Sequence, residues 1–159
     1  MAQFRFTTTW HIEAPLAQVC DAVSQCLHWP QWWPAVQAVH EVAAGDSDGI
    51  GSVRRFTWKG PLPYRLSFDV RVVRVVPLTL LEGEASGEVE GMGRWRFHHA
   101  GGITAVCYEW EVRTKRRWMT VFSPMAWPLF KWNHDHVMRQ GAEGMARLLN
   151  ARLVSFMHG

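Results

Sequence analysis

The chain has 159 residues, of which 48% are hydrophobic and 19% are charged, and this balance excludes an intrinsically disordered protein. The net charge of +3 is small and neither excludes nor demands nucleic acid or anionic lipid as a partner. Nucleic acid is not expected, because no aromatic strand with adjacent glycines of the RNA-binding type is present. No stretch approaches the ~20 apolar residues of a membrane span. No charged segment followed by an apolar one precedes the first predicted strand, so we expect a cytoplasmic protein without a signal peptide. Ten tryptophans give far more large aromatic surface than a core of this size needs.

The cysteines and histidines do not predict a metal site. Cys20, Cys26 and Cys107 are odd in number and lack metal-ligand spacing, so we expect buried, reduced thiols. The histidines at 134 and 136 would point about 200° apart on a helix, and those at 98–99 would face opposite sides of a strand. We therefore expect neither a metal nor any other cofactor.

The first third of the chain predicts one strand followed by two short helices. Residues 4–12 alternate between apolar and polar side chains, which is typical of a half-buried strand with an aromatic inner face. Pro15 fits the first turn of a helix, and apolar residues follow at helical spacing over 16–26. The string WPQWWP at 29–34 holds two prolines, so it predicts one short turn of helix and then a bend.

The middle of the chain alternates with the period of a strand. Further strands are predicted at 36–42, at 52–59, from Tyr64 to a break at Pro77, at 79–87, at 89–99 and at 103–114. The pair Gly101-Gly102 is a strong signal for a two-residue hairpin loop. The resulting register places Trp95 opposite Tyr108, Phe97 opposite Val106 and Arg94 opposite Glu109. Aromatic residues thus meet on one face and opposite charges on the other, as a real hairpin requires.

The last part of the chain changes to a period of 3.6 residues. From Trp127 to about Phe156 the pattern predicts one long helix with a single apolar stripe. Gly141 and Gly144 lie inside this helix, where they favour a close approach to the sheet or room beside a cavity. The predicted fold is α+β: a curved antiparallel sheet of about six to seven strands wrapped around a long C-terminal helix, with two short helices after strand one.

Several strings carry a resemblance to a known group of proteins. They are HIEAP at 11–15, WPQWWPAV at 29–36, the stretch 49–56, GEVEGMGRW at 87–95, TAVCYEWEV at 104–112 and the helix after Pro128. Together they make the chain similar to the helix-grip superfamily of START-related and SRPBCC domains, in particular its polyketide cyclase/dehydrase and lipid-transport group. The resemblance covers nearly the whole chain and implies one helix-grip domain over 1–159. Members of that superfamily serve as lipid carriers, hormone receptors, aromatic cyclases or coenzyme Q binding proteins, so function depends on the cavity lining.

Strand parity and the helical stripe together predict which side chains face the space between sheet and helix. They are Phe56, Trp58, Leu66, Phe68, Trp95, Phe97, Tyr108, Trp110, Phe130, His134 and Met138. So many large side chains on one concave face are hard to pack without gaps, although the same residues could also fill a solid core. We expect a mostly apolar pocket that binds or transports a small hydrophobic or aromatic molecule, lipid-like or polyketide-like.

Two other functions remain open for the same chain. One is a cofactor-free enzyme of the cyclase/dehydrase type acting on such a ligand, and the other is a protein-interaction module with a vestigial cavity. No nucleophile with its base and orienting group is visible in the sequence, so the pattern does not decide whether the protein is an enzyme. The oligomeric state is also left undetermined.

A few polar residues carry alternatives of their own. His134 is interpreted as a general base, as a hydrogen-bonding contact for the ligand, or as a structural residue bonded to a carbonyl group. Arg54 shares the inward parity of Phe56. It either binds an acidic head group, lies in solvent at the start of the strand, or pairs with Glu82 or Glu84.

Charged residues elsewhere are interpreted in two ways each. Glu88 and Glu90 form either a carboxylate pair or solvated charges at a glycine-rich bend. The run RTKRRWM at 113–119 predicts either a contact with an anionic membrane surface or nucleic acid, or a solvated strand end. The string WNHD at 132–135 carries no assigned chemistry.

Overall fold

The computed structural model describes residues 3–114 and 117–158 of the chain. The strands are β1 (Gln3–Glu13), β2 (Val36–Ala43), β3 (Val53–Trp58), β4 (Leu66–Val76), β5 (Leu80–Gly87), β6 (Val89–Ala100), β7 (Ile103–Thr114) and β8 (Arg152–His158). The helices are α1 (Leu16–Ser24), α2 (Trp29–Trp32) and α3 (Arg117–Leu148), with a 3-10 turn at Cys26–His28 between α1 and α2. The predicted order of strand, short helices, strands and long helix is confirmed.

The described strands form one open antiparallel sheet. Its strand order is β2-β3-β4-β5-β6-β7-β1-β8, so β2 to β7 follow the chain while β1 lies between β7 and β8. Each pair of neighbours is antiparallel, as expected for strands joined by short turns. The fold is α+β, with the helices against one face of the sheet.

The hairpin between β6 and β7 has the predicted register. Trp95 pairs with Tyr108, Phe97 with Val106 and Arg94 with Glu109. Gly101 and Gly102 have φ angles of +60° and +78°. Glycine adopts a positive φ without strain at both central positions of a two-residue turn, so this pair fits the hairpin loop and fixes the register.

The predicted strand count and the bounds of the long helix are wrong. The sheet has eight strands instead of six to seven, because residues 152–158 form β8 and do not continue the helix. The helix ends where Asn150 takes a φ of +50°, and the amide of Ala151 donates to the carbonyl of Ala146 at 2.8 Å. At its other end, α3 begins at Arg117 and not at Trp127.

The main core lies between the sheet and the tryptophan-rich segment of α2. Trp33 is 0% exposed, and its indole N–H donates to the Val137 carbonyl of α3 at 2.8 Å. A Cβ atom on Gly141 would lie 2.5 Å from the Trp33 ring, and one on Gly144 would overlap the carbonyl oxygen of Trp32. The two helix glycines therefore permit a close approach, but it is an approach to α2 and not to the sheet.

Other described features agree with the composition. Cys20, Cys26 and Cys107 are free thiols; the first two are buried and the third is half-buried. None of the helices in the described ranges is both long and apolar enough to cross a membrane.

Candidate functional site

Two cavities lie between the sheet and its helices. The first has a volume of about 110 Å³ and is covered by α3; it is called the α3 cavity below. The second has a volume of about 230 Å³ and lies beneath the end of α1, the 3-10 turn and the β2–β3 loop; it is called the α1 cavity. Each has room for more than one water molecule, since a single water needs only ~10–15 Å³ by a comparable measure.

Ten of the eleven side chains predicted from the sequence border these cavities. The α3 cavity is bordered by Trp58, Leu66, Phe68, Tyr108, Trp110, Phe130, His134 and Met138. The α1 cavity is bordered by Phe56, Trp58, Phe68, Trp95, Tyr108 and Trp110. The walls are therefore largely aromatic, which gives a binding site rigid apolar surfaces with few rotatable bonds.

Phe97 is the exception among the predicted residues. It borders neither cavity and packs against the core cluster that contains Trp10 and Val106. It has the correct strand parity, but it lies two residues beyond Trp95 toward the hairpin loop. Parity gives the face of a strand and not the position along it, so the sequence could not separate Phe97 from its neighbours.

Glycines on β5 and β6 let neighbouring side chains lie close to the sheet. Gly83 and Gly93 pair directly on these neighbouring strands, and both border the α1 cavity. A Cβ atom on Gly93 would lie 3.1 Å from the Trp110 ring and from the Tyr108 hydroxyl, so the two rings lie low over the glycine. A Cβ atom on Gly83 would lie 2.5 Å from the Val70 side chain, so that glycine is covered as well. Of the two, only Gly93 belongs to the string GEVEGMGRW, which the parity argument did not use.

His134 is the most constrained polar group of the α3 cavity. Its ring stacks on Phe6 with centroids 4.1 Å apart, and its Nδ1 atom is buried without a hydrogen-bond partner. The Asp135 carboxylate lies 3.9 Å from Nδ1, which is too far for a hydrogen bond. Burial lowers the pKa of His134, although Asp135 acts in the opposite direction. The imidazole is therefore neutral near pH 7 and can exchange one hydrogen bond or one proton with a molecule in the cavity.

Asn133 closes the α3 cavity from the side, and the sequence analysis did not identify it. Its side-chain NH₂ donates to the Tyr64 hydroxyl at 3.2 Å, and its carbonyl oxygen accepts from the Leu62 amide at 3.2 Å. A Cβ atom on Gly60 would lie 2.5 Å from that oxygen, so glycine is needed where this loop meets α3. One signal was available: Asn133 lies four residues before Val137, on the same face of the helix.

Phe4 and Phe6 of β1 also border the α3 cavity and were not among the predicted site residues. Both rings stack on Trp127, with centroids 5.4 Å and 5.3 Å apart. The aromatic inner face of β1 was visible in the sequence. What was missing was the sheet order, which brings β1 beside β7 and so beside Trp110.

Tyr108 borders both cavities from the middle of β7. Its ring stacks on Trp95 with centroids 4.2 Å apart. Burial raises the pKa of the Tyr108 hydroxyl far above its ordinary value, so the group stays protonated throughout the physiological range. It can therefore donate a hydrogen bond to an oxygen atom of a bound molecule.

Arg54 brings a positive charge to the α1 cavity. Its side chain is 23% exposed and its Nη1 donates to the Cys26 sulfur at 2.9 Å, while Nη2 lies 3.9 Å from the Glu41 carboxylate. The Nε atom is buried without a partner. Burial raises the pKa of the Cys26 thiol despite the adjacent guanidinium, so the sulfur is a neutral acceptor. Arg54 thus keeps hydrogen-bonding capacity that a ligand could use.

The ion pairs expected for Arg54 are formed by other arginines. Glu82 pairs with Arg94 at 3.0 Å, and Glu84 pairs with Arg71 at 3.7 Å. This part of the prediction is wrong, because register places Arg54 beside Val70 and not beside β5.

The remaining polar candidates do not form a catalytic group in the described residues. Glu88 accepts a hydrogen bond from the Ser67 amide at 2.6 Å, which gives it a structural role, and neither it nor Glu90 borders a cavity. Most of the basic run at 113–119 has its side chains outside the described residues. Within the described ranges, no three His, Cys, Asp or Glu side chains lie close enough to hold a metal ion.

The four residues of the WNHD string face different surroundings. Trp132 is 52% exposed, Asn133 bonds to the loop before β4, and His134 borders the cavity. Asp135 accepts a hydrogen bond from Lys131 at 2.9 Å and lies 3.1 Å from the His158 ring of β8. The string therefore combines a cavity wall with contacts that fix α3 in place.

Solved structures with the same fold are numerous at low sequence identity. The di-domain aromatase/cyclase BexL of the BE-7585A biosynthetic pathway matches with a TM-score of 0.73 and 20% identity, over 94% of this chain and 51% of that chain. This chain thus spans about half the length of BexL. The Zhui aromatase/cyclase from Streptomyces sp. R1128 matches with a TM-score of 0.66 and 13% identity, over 92% of this chain and 96% of that one.

A plant protein has the same fold as well. Major latex-like protein 151 from Panax ginseng matches with a TM-score of 0.64 and 13% identity, over 89% of this chain and 96% of that one. At these identities the likeness establishes the fold alone.

A comparison with curated proteins gave no match. The family model described as polyketide cyclase/dehydrase and lipid transport matches residues 3–155, nearly the full length. The chain belongs to the polyketide cyclase/dehydrase and lipid transport family.

Proposed function

We propose that this protein binds one or more small hydrophobic or aromatic molecules, lipid-like or polyketide-like, inside the cavities between the sheet and its helices. The observation that carries the proposal is the pair of cavities with largely aromatic and apolar walls; the described lining of the α1 cavity also includes the charged side chains of Asp48, Arg54 and Glu82. The family and the aromatase/cyclase neighbours support the same class of ligand. A cytoplasmic carrier built as one helix-grip domain is part of this proposal.

The proposed site has an apolar body and a small number of polar contacts. The aromatic walls surround the hydrocarbon part of the ligand, while His134 and Tyr108 exchange hydrogen bonds with its oxygen atoms. Arg54 binds an acidic or phenolic head group at the α1 cavity, where its buried Nε has no partner in the protein. Hydrogen bonds to charged groups are the stronger ones, so we expect Arg54 to determine which end of a ligand enters this cavity.

A direct test compares an acidic with a neutral probe of the same size. Fluorescence titration with 1-naphthoic acid and with 1-naphthalenemethanol should give binding of both to the wild-type protein. Arg54→Met should weaken the acid about tenfold or more, since a hydrogen bond to a charged group contributes ~1.5–3 kcal/mol, and should leave the alcohol unchanged. Arg71→Met is the matched control, because the Arg71 side chain is 59% exposed on β4. Failure of both probes to bind the wild-type protein would contradict the proposal.

A second candidate function is a cofactor-free cyclase/dehydrase. The observation that favours it is a neutral imidazole with a lowered pKa on the wall of an apolar cavity. His134 could accept a proton from the carbon between two ligand carbonyl groups, and the Tyr108 hydroxyl could donate a proton to the alkoxide that forms when that carbon attacks a third carbonyl. Binding remains the leading proposal because no described side chain hydrogen-bonds to His134 and orients it.

The two functions separate once a bound molecule is known. Native mass spectrometry of the purified protein tests for a retained lipid or aromatic compound. With that compound, His134→Phe should abolish turnover and preserve affinity if the imidazole is the base, where general acid–base catalysis contributes ~10²–10⁴ in rate. If the imidazole only contacts the ligand, the same change should weaken binding by about one neutral hydrogen bond, ~0.5–1.5 kcal/mol.

A further inference from the structure

The two ring nitrogens of His134 have different surroundings. Nδ1 is buried, and the nearest charged atom is Oδ1 of Asp135 at 3.9 Å, beyond hydrogen-bond distance. The ring borders the α3 cavity and stacks on Phe6. Nε2 is therefore the nitrogen available to a molecule in the cavity. Whether Nε2 donates or accepts a hydrogen bond depends on which of the two nitrogens carries the proton.

The Asp135 carboxylate is held from two sides. Its Oδ2 atom accepts a hydrogen bond from Nζ of Lys131 at 2.9 Å, and its Oδ1 atom lies 3.1 Å from Nδ1 of His158. Burial alone would raise the pKa of the Asp135 carboxyl, but its contacts with Lys131 and His158 lower that pKa. The group is therefore ionised at neutral pH, and an ionised carboxylate can only accept hydrogen bonds.

The strand β8 supplies one of the two groups that hold this carboxylate. His158 lies opposite Thr8 of β1, so pairing of β8 with β1 brings its ring to the side of α3 that carries Asp135. At the other end of the strand, Arg152 donates to the Glu13 carboxylate at 2.8 Å. The position of Asp135 beside His134 thus depends on contacts from two elements, α3 and β8.

An acceptor-only group beside Nδ1 determines the tautomer of a neutral imidazole. A lone pair on Nδ1 of His134 would face the negative charge of Asp135, and repulsion between buried groups is only weakly screened. A hydrogen atom on Nδ1 is attracted by the same charge. The other charges that act on His134 are those of Lys131 and His158, and both of these groups contact the carboxylate itself.

We infer that Asp135 keeps the proton of neutral His134 on Nδ1, so that Nε2 faces the α3 cavity as a hydrogen-bond acceptor and selects ligands that present a hydroxyl group at this position. Asp135 does not border the cavity, so it is a positioning residue that acts through His134. The inference rests on the proposed function and narrows it, because a ligand carbonyl, which only accepts, does not suit Nε2. A carbonyl suits the Tyr108 hydroxyl instead, which stays protonated.

The first test locates the proton without any ligand. Nitrogen-15 NMR distinguishes a ring nitrogen that carries hydrogen from one that carries a lone pair. The chain has eight histidines, and the signals of His134 are those absent from His134→Phe. At about pH 8, where this imidazole is neutral, the wild-type protein should carry hydrogen on Nδ1, and Asp135→Ala should give a mixture of both tautomers. Glu13→Gln is the matched control, because it removes another carboxylate that holds β8.

The second test measures whether Nε2 accepts a hydrogen bond from a ligand. The probes are 2-naphthol and 2-methoxynaphthalene, which differ by the methyl group that removes the O–H donor. All proteins in this test also carry Arg54→Met, so that the phenol cannot bind that guanidinium. The preference for the naphthol should fall about fivefold in His134→Phe, which reports the size of the methyl group alone. Asp135→Ala should lower it about twofold or more, and Glu13→Gln should not change it.

The results separate the inference from the proposed function. Hydrogen on Nε2 in the wild-type protein, or the same mixture of tautomers in the wild type and Asp135→Ala, overturns the inference, as does a preference for the naphthol that His134→Phe keeps in full. If neither naphthalene binds, the proposed function fails and ligand selection by His134 fails with it, whereas NMR still tests the role of Asp135. If Asp135→Ala loses its cooperative thermal transition, Asp135→Leu replaces it, and the same results are required.

Discussion

Two faces of the interior are built from tryptophan but differ in how they pack. Against α3, Trp32 and Trp33 meet glycines of the helix, and the Trp33 indole donates to a helix carbonyl. On the sheet, Trp58 and Trp110 meet other rings and border open space, and the Trp58 indole has no partner. The comparison teaches that the number of tryptophans does not decide between core and cavity. On the packed face the rings lie between α2 and helix glycines, whereas Trp110 lies over a glycine of the sheet, Gly93, and borders a cavity on its other side.

The largest expected effect is on the packed face. Gly144→Ala should destabilise the protein by about 3 kcal/mol, because the added Cβ overlaps the backbone carbonyl of Trp32, which cannot move independently of α2. Urea unfolding followed by tryptophan fluorescence measures this loss.

The control for that variant lies one residue away on the same helix. Glu143 is exposed, so Glu143→Ala should change the free energy of unfolding by no more than ~0.5 kcal/mol. Equal stability of the two variants would mean that α3 does not approach α2 as closely as described.

Replacing one tryptophan by phenylalanine on each of the two faces should give the next largest change in the free energy of unfolding. Trp33→Phe removes a buried hydrogen bond and leaves a gap, so it should destabilise the protein by about 2 kcal/mol. Trp58→Phe removes a buried donor without a partner, so its effect should stay within ~1 kcal/mol in either direction. Thermal unfolding of both variants measures the two losses of stability. Losses of similar size would show that the two faces do not differ in how their tryptophans are held.

The effect of His134→Phe should depend on pH. Burial depresses the pKa of His134 below 6.5 in the folded state, so the unfolded chain takes up the proton more readily. Stability is therefore full above about pH 6.5 and falls as the pH drops from there through the folded-state pKa. Phenylalanine keeps the stack on Phe6 and removes this loss.

The measurement is the difference in melting temperature between His134→Phe and the wild type. Near neutral pH it should correspond to no more than ~1 kcal/mol, because Nδ1 has no bond to lose. The variant should gain on the wild type as the pH falls to about 5. A variant that melts well below the wild type at neutral pH would instead establish a structural role for the imidazole.

The smallest effect is expected at Asp135. Asp135→Asn removes the charge partner of Lys131 and His158, and all three side chains retain some exposure. We expect a loss of ~0.5–1 kcal/mol near neutral pH. Burial pushes the pKa of Asp135 up, but its hydrogen bonds and the adjacent positive charges outweigh burial and lower it. The loss should therefore shrink as the pH falls from about 4, where the unfolded chain begins to take up the proton, through the lowered pKa of the folded carboxylate. Calorimetric melting near pH 7 and near pH 3 measures the loss of stability and its decrease in acid.

Local patterns predicted most of the elements and the register of the final hairpin. The pair Gly101-Gly102 and the alternation on both sides of it depend only on nearby residues, and the predicted pairs are those of β6 with β7. β8 was missed because the apolar residues after Leu148 also suit a helix. What makes them a strand is the free edge of β1, which is distant in sequence.

The wall of the candidate site was easier to predict than its interior. Parity and helical periodicity identified ten residues that border a cavity, and Phe97 was the one that does not. Four rings border both cavities, and two of them, Tyr108 and Trp110, lie over Gly93, which only the three-dimensional arrangement gives. Asn133 was missed for the same reason, since its partners lie in the loop before β4.

The position of β1 has a consequence for how the chain acquires its structure. This strand comes first in sequence, yet both of its neighbours come late: Thr8 pairs with Tyr108 and with His158. During synthesis it has no sheet partner until β7 has left the ribosome, and its second edge stays open until β8 follows. Contacts of such sequence separation slow folding and prolong the exposure of apolar surface. The rings of Phe4, Phe6 and Trp10 on β1 therefore lack their sheet neighbours until the last strands of the chain are made.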